Sequence, residues 1–231
     1  MAHIEQQNFI KDCFEIIKDK FDAPQILEIG SYKSNKEYDL RNFFPNSNFT
    51  GIDLVDGPGV DIVMDGENIG QLNKKFDIII SGECFEHASN WKNIFSKMIE
   101  YIKDEGYIII TCASKGRLEH GTRRLKSYSN SLGKHDYYLN LEKKNFFNNF
   151  QITKIFSNYF FYYNINSFDL YTILSKKGDK RVFDSIKKRC RSRYKGFPKI
   201  RNLKRFLICS LIPDKIFQNT RFLLRKLQKK Y

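Results

Sequence analysis

The apolar residues of this chain follow two rhythms. Phe9, Ile10, Cys13, Phe14, Ile17 and Phe21 recur at helical spacing and predict an amphipathic helix over 4–20. A short apolar run marks a strand at 25–30, and a second helix is expected over 37–44, ended by Pro45. Strands follow at 49–54 and 60–64, then a polar connection at 66–75 and a strongly apolar strand at 76–81. Trp91, Ile94, Phe95, Met98, Ile99 and Ile102 form one face of the next helix, with Ser89 and Asn90 as candidate N-caps. Gly106 introduces a buried strand at 107–112. After a long polar connection, 141–149 reads as helical and 151–161 with 167–175 as a terminal antiparallel pair. Near-continuous apolar strands separated by helices imply a parallel sheet covered on both faces, and such sheets bind ligands beyond their strand C-termini.

Past residue 175 the pattern changes. Lys187-Lys-Arg-Cys-Arg-Ser-Arg-Tyr-Lys195 is a dense basic run, followed by a Gly196-Phe-Pro198 break. Ile200, Leu203, Leu207 and Leu211 then share one helical face beside Lys199, Arg201, Lys204 and Arg205. After Pro213 the stripe continues through Ile216, Leu223 and Leu227, with Arg221, Arg225, Lys226, Lys229 and Lys230 nearby. The charge is divided in the same way. Residues 1–175 hold 20 Lys+Arg against 23 Asp+Glu, whereas 176–231 hold 20 against 3, so the net +14 resides in the tail. The expected organisation is a catalytic domain at 1–175 and a basic amphipathic helical extension at 176–231.

Composition narrows the class. With 41% hydrophobic and 15% aromatic residues in 231, the chain is not disordered. The five cysteines are odd in number, contain no Cys-x-x-Cys pair and match no zinc spacing, as expected of reduced thiols. The N-terminus has no basic-then-apolar leader, and no apolar run approaches the roughly 18 residues needed to span a bilayer; a cytoplasmic protein is expected.

The chemistry gathers at strand ends. Gln25-Ile-Leu-Glu-Ile-Gly-Ser31 delivers an acid and then a glycine into a turn. It is followed by Gly51-Ile-Asp-Leu54 and by Phe76-Asp-Ile-Ile-Ile-Ser-Gly-Glu-Cys-Phe-Glu-His87. A dinucleotide dehydrogenase would require Gly-x-Gly-x-x-Gly, but residues 30–35 read Gly-Ser-Tyr-Lys-Ser-Asn. Over roughly residues 20–175 the chain resembles the class I S-adenosylmethionine-dependent methyltransferases. Thr111-Cys-Ala-Ser-Lys-Gly-Arg-Leu-Glu-His-Gly-Thr122 is similar to the small methyltransferases of bacterial polysaccharide and nucleotide-sugar pathways. The resemblance implies a Rossmann-like α/β fold, a mostly parallel seven-stranded sheet with helices on both faces. It also implies S-adenosylmethionine as cofactor and S-adenosylhomocysteine as product. Glu28, Gly30, Ser31 and Tyr32 would then meet the cofactor's amino-acid portion, Asp53 and Leu54 its ribose, Asp65 and Gly66 its adenine, and Ser81 and Gly82 would lie beneath its methyl. The family often continues with two more glycines after Gly30; this chain has Ser31-Tyr-Lys-Ser34 instead.

Methyl transfer to a hydroxyl requires alignment and removal of a proton. His87 and His120 are the candidate bases, with Glu86 beside them, because imidazole titrates near neutrality and both follow strand ends. If the junction after the fourth strand is helical, Glu83, Glu86 and His87 share a face. That Glu-x-x-Glu-His pattern is similar to one that binds a divalent metal, with a further histidine, in some sugar, quinone and small-RNA O-methyltransferases. Its counterpart here would be His120. The long 115–140 connection is a candidate lid. In it Arg117, Arg123 and Arg124 could clamp a diphosphate, with Tyr128, Tyr137 and Tyr138 stacking on a base or sugar, or these residues are solvated.

The expected activity is therefore O-methylation of a sugar, nucleotide-sugar or related phosphorylated glycan precursor. An RNA 2′-O-methyltransferase with a basic RNA-binding tail, a small-molecule or quinone-like O-methyltransferase, and a cofactor-binding scaffold without transfer activity remain alternatives. The tail suits an anionic membrane surface, which would make the enzyme peripheral at the inner face of a membrane. The same stripes suit packing on the protein's own domain or on a second subunit in a homodimer. Nucleic acid is disfavoured by the acidic body.

Overall fold

The computed structural model describes residues 4–33, 39–125, 136–194 and 199–228. Helix α1 (Ile4–Ile17) leads through a 3-10 turn into strand β1 (Gln25–Ile29). Then come β2 (Asn48–Asp53), β3 (Ile62–Val63), β4 (Phe76–Gly82), α2 (Trp91–Tyr101) and β5 (Ile102–Ala113). Helices α3 (Lys143–Asn149) and α4 (Ile152–Ile155) precede β6 (Asn158–Asn164) and β7 (Asp169–Ser175). Three helices close the chain: α5 (Lys180–Arg193), α6 (Ile200–Leu211) and α7 (Asp214–Gln228). The strands form one seven-stranded sheet in the order β3-β2-β1-β4-β5-β7-β6. Strands β1 to β5 run parallel and β7 is antiparallel to both β5 and β6. The strand order reverses between β1 and β4, which leaves a crevice beyond their C-terminal ends.

The apolar runs are continuous because each face of the sheet is covered. Ile26, Ile78, Ile80 and Ile109 pack with Phe9, Phe14 and Ile17 of α1 and Phe183 and Ile186 of α5. Their neighbours Leu27, Ile29, Ile79, Ile108 and Ile110 point the other way, into a core with Ile94, Phe95 and Met98 of α2 and Phe146 of α3. Alternate residues of a strand face opposite sides, so an unbroken isoleucine run serves two cores.

Several elements differ from the expectation. The described part of the 37–44 helix is a 3-10 turn, Leu40–Phe43, which starts where the Asp39 side chain accepts from the Arg41 N–H at 3.0 Å. It ends as Phe44 turns its ring onto Phe14. The strand at 60–64 shrinks to Ile62–Val63, and the polar connection becomes a 3-10 helix, Gly66–Leu72. Ile102 opens β5 opposite Phe76, so it does not close α2. Residues 152–155 form α4 before β6 begins at Asn158.

The packed body also runs past the expected boundary at 175. Val182, Phe183, Ile186 and Cys190 of α5 are buried in the α1 core. The buried Asp12 of α1 accepts from Arg193 Nε at 2.6 Å and Nη2 at 2.7 Å. Helices α6 and α7 lie across the segment that follows β5. Asn140 Nδ2 donates to Asp214 at 2.7 Å, Gln218 Nε2 donates to the Arg117 carbonyl at 2.7 Å, and the Glu119 N–H donates to Gln218 Oε1 at 2.9 Å. Ser34, the start of the 37–44 helix, Tyr128, the 196–198 break, Lys229 and Lys230 fall outside the described residues.

Candidate active site

At the end of β1 the chain turns at Gly30 with φ +81°. A Cβ there would sit 2.7 Å from the Cβ of Cys84, so close approach and a left-handed backbone both require glycine. The N–H groups of Gly30 and Ser31 both donate to the Ile52 carbonyl, at 2.9 and 3.0 Å, which ties the turn to β2. Asp53 ends β2. Its Oδ2 accepts from the Tyr32 N–H at 3.1 Å and its Oδ1 from the Leu54 N–H at 2.7 Å. Burial raises the Asp53 pKa, and these backbone bonds oppose the rise. Beneath the turn, the buried Glu28 pairs with Lys33 through one oxygen; the other has no hydrogen-bond partner among the described residues. Burial raises the Glu28 pKa against that pairing.

Asp65 follows β3 and caps the 3-10 helix, accepting from the Glu67 N–H at 3.0 Å. It also takes the amide of Asn90, at 3.1 and 3.2 Å. Asn90 does occupy the N-cap position of α2, but its side chain serves Asp65 and makes no cap bond. Gly66 is buried where a Cβ would meet Ile29 Cγ2 at 2.8 Å. Ser81 and Gly82 finish β4 next to the Cys84 turn. The ten sequence-derived cofactor positions therefore surround the C-terminal ends of β1 to β4.

The segment after β4 corrects one expectation. Glu83 has φ +55°, and the following turn, Phe85–His87, is 3-10 rather than α-helical, so Glu83, Glu86 and His87 do not share a face. The Glu83 carboxylate instead accepts from Gln6 of α1. Glu86 Oε1 accepts from the Ala113 N–H at 3.1 Å, tying the turn to the end of β5. Burial drives the pKa values of both glutamates up, and Glu86 adds to the rise at Glu83.

His87 meets two residues from the segment after β5. Its ring centroid lies 5.0 Å from that of His120 and 5.4 Å from that of Tyr138, and the His120 and Tyr138 rings are 5.0 Å apart. Burial, with His120 adding to it, lowers the His87 pKa to about 3. His120 Nδ1 lies 3.1 Å from the Leu118 carbonyl, which can only accept; in the neutral ring this contact selects the tautomer with the proton on Nδ1. The Tyr138 hydroxyl donates to Asn140 Oδ1 at 2.9 Å. Ligand atoms of Glu86, His87 and His120 lie within 4.8 Å of one another, a carboxylate–imidazole set of the kind that borderline divalent cations accept. Glu83 is outside that group.

The arginines divide differently from the expectation. Arg124 donates through Nε to Glu119 Oε1 at 2.7 Å and through Nη1 to Asn219 Oδ1 at 2.8 Å, with a second bond to Glu119. Its guanidinium holds the 119–124 turn against α7, and the Arg123 side chain is exposed. The Arg123 N–H donates to Asp136, and Tyr137 is half-buried nearby in sequence. Arg117 Nη1 donates to the Ser167 carbonyl at 2.8 Å and faces the buried Asp169 at 3.7 Å. A cavity of about 520 Å3 opens beside it, with Arg117, His120, Asn166, Ser167, Phe168 and Arg205 among its lining. Arg205 was legible in the sequence only as one cation in a basic helix. Gln6, Asn140 and Gln218 carried no local signal at all.

The family model described as "Methyltransferase domain" matches residues 2–162. A curated relative, malonyl-[acyl-carrier protein] O-methyltransferase 2 of Ilyobacter polytropus, is 25% identical over 138 residues, 54% of this chain. The match spans about half of that relative's length, 53%. Among solved structures, the plantazolicin methyltransferase BamL, in complex with a desmethyl-plantazolicin analogue and S-adenosylhomocysteine, superposes with a TM-score of 0.54 at 20% identity. That superposition covers 74% of this chain and 85% of BamL. The plantazolicin methyltransferase BpumL gives 0.51 at 16% identity, covering 73% and 83%. These likenesses establish a shared fold. With the family model spanning strand ends β1 to β5 and the sheet ordered as described, the chain belongs to the class I S-adenosylmethionine-dependent methyltransferases.

Proposed function

We propose that the protein methylates a hydroxyl of a sugar, nucleotide-sugar or related phosphorylated glycan precursor, with His120 accepting the hydroxyl proton. The observation that carries this reading is the position of His120. It lines the 520 Å3 cavity, its Nδ1 is engaged by Leu118, and the tautomer this selects keeps the lone pair on Nε2. A positioned general base contributes about 100- to 10,000-fold in rate. The rings of His87 and Tyr138 hold the imidazole edge-on and fix its direction. The polar lining contributed by Asn166 and Ser167 suits a hydroxylated acceptor better than a quinone.

On the cofactor side, S-adenosylmethionine supplies a methyl group on a positively charged sulfur. The residues at the strand ends fit it. Asp53 retains lone pairs beyond those used by Tyr32 and Leu54 and would accept from the ribose hydroxyls; Asp65 and Gly66 would border the adenine. The Glu28 oxygen that has no partner among the described residues and the backbone carbonyls at Gly30, Ser31 and Tyr32, whose N–H groups are already engaged, would receive the ammonium of the amino-acid portion. Methyl-labelled cofactor offered with a panel of nucleotide-sugars and sugar phosphates tests the proposal. Label in a sugar O-methyl supports it; label only on nitrogen or on a carboxylate, with the panel unlabelled, overturns it.

A second reading has its own observation. Glu86, His87 and His120 could hold a divalent cation, which would acidify the acceptor hydroxyl in place of a proton acceptor. Metal co-purifying with the protein, and activity lost to chelator and restored by one cation, would favour this reading; full activity in chelator with no bound metal removes it.

The outer face of the tail supports a position at a membrane surface. Ile200, Leu207, Ile208, Leu211, Ile216 and Leu223 are exposed on α6 and α7, Leu211 at 86%. No helix among the described residues is long and apolar enough to cross a membrane. The proposed occupant of this face is an anionic bilayer, attracted by the 20 Lys+Arg of residues 176–231. Sedimentation with phosphatidylserine vesicles but not with phosphatidylcholine vesicles supports it. Binding to RNA with no vesicle preference overturns it.

A further inference from the structure

The inner face of the tail has a different task. Helix α6 carries Arg205 into the wall of the cavity that also holds His120 and Arg117. Its guanidinium carbon stacks 4.4 Å from the ring centroid of Phe168 and 5.5 Å from that of Phe217, so two aromatic faces from separate parts of the chain fix its direction. The Arg205 Nε is buried and has no hydrogen-bond partner among the described residues. Burial, with the positive charges of Arg221 and Arg117 adding to it, lowers the Arg205 pKa to about 10. The acids of the same wall offer little relief. Glu119 is engaged by Arg124 and Thr122, Asp169 faces Arg117, and Glu5 comes from α1 on another wall element. A half-buried cation among other cations is costly to keep, and a planar donor fork matches the oxygens of a phosphate or carboxylate.

We infer that the cavity is an anion receptor whose principal donor is Arg205, so that the C-terminal extension completes the acceptor site and selects acceptors bearing a phosphate or carboxylate. The inference rests on the reading of this cavity as the acceptor site. It also divides labour between the ends of the cavity: His120 meets the reacting hydroxyl while Arg205 holds the charged group. A cavity of about 520 Å3 accommodates a sugar phosphate.

The test uses the full chain and three probes, inorganic phosphate, pyrophosphate and acetate, titrated by calorimetry at fixed ionic strength beside S-adenosylhomocysteine. One anion is expected to bind the wild type, with affinity reduced at least tenfold in Arg205→Gln and several-fold in Arg205→Lys. Affinity for S-adenosylhomocysteine should hold within twofold in both variants. Preference for phosphate or pyrophosphate assigns a phosphorylated acceptor, and preference for acetate assigns a carboxylate. Arg201→Gln, an exposed neighbour on the same helix, should change anion affinity less than twofold. Should Arg205→Gln fail to fold, the comparison of Arg205→Lys with Arg201→Gln still decides. No anion binding by the wild type, or equal losses in the Arg201 and Arg205 variants, overturns the inference. Arg205-dependent anion binding in a protein that methylates no sugar acceptor would leave the receptor standing and remove the proposed substrate class.

Discussion

The two halves of the strand-end crevice are built by different means. On the β1–β3 side the groups come from backbone turns and from carboxylates fixed at or just past a strand end, as in Asp53 held by the N–H groups of Tyr32 and Leu54. On the β5–β7 side the wall is assembled from Glu5, Arg117, His120, Phe168 and Arg205, which span two hundred positions of the chain. The first half, the proposed cofactor side, needs only local geometry. The second half, the proposed acceptor side, is brought together only by tertiary packing.

If the halves are separable, variants should divide cleanly between them. His120→Ala should show the largest effect, a fall in kcat of about 100- to 10,000-fold with S-adenosylhomocysteine affinity unchanged. Steady-state kinetics beside calorimetry checks this, and an equal loss of cofactor affinity would break the division. Asp53→Ala should do the reverse. Losing the equivalent of one hydrogen bond to a charged acceptor costs about 1.5–3 kcal/mol, so cofactor affinity should drop by at least about 10- to 100-fold while anion binding in the cavity persists. Gly30→Ala forces a side chain into φ +81° and against Cys84; a loss of about 2 kcal/mol in denaturant unfolding is expected, together with weakened cofactor binding.

A pH series sharpens the acceptor side. Burial pushes Asp169 up to about 7, against the nearby Arg117, from an ordinary value of 3.8. Between those values the unfolded chain has released this proton and the native state has kept it, so Asp169 makes stability fall as pH rises through the window and level off above it. Glu83 and Glu86, also raised, act in the same direction. Thermal melting of Asp169→Asn across the window should therefore show a shallower decline than the wild type; an unchanged slope would remove Asp169 as a contributor. The smallest effect belongs to Arg123→Ala. The Arg123 side chain is exposed, so acceptor KM should change less than about twofold. A tenfold rise would place Arg123 in a diphosphate clamp with Arg124.

The same contrast explains what was legible in the sequence. The sheet could be read because the isoleucine runs of β4 and β5 require two covered faces, and Gly30, Asp53 and Asp65 because each stands at or just past the end of a short strand. Glu83 was misplaced because side-chain spacing alone does not reveal that the chain passes through φ +55° there before a 3-10 turn. Asn90 stands at the expected N-cap position, but its side-chain bond reaches back to Asp65, 25 residues away, which spacing does not reveal. Helix α5 was read by its charges, although Val182, Phe183, Ile186 and Cys190 carry a helical period that buries it. Arg205 could not be distinguished from its neighbours, because what sets it apart is the pair of phenylalanine rings that packing places around it.

The polar fastening of the tail has a thermodynamic consequence. Asp214 and Gln218 of α7 bind the segment carrying Arg117 and His120 through hydrogen bonds to Asn140, Arg117 and Glu119, while α6 and α7 present apolar side chains outward. If the cavity is the acceptor site, whatever settles on that outer side and favours the docked arrangement of α6 and α7 would raise acceptor affinity by some factor. By linkage, a bound acceptor would then raise affinity for that outer partner by the same factor. The two faces of the extension would be the two ends of one coupling free energy, and measuring either binding event with the other partner saturating would give its value.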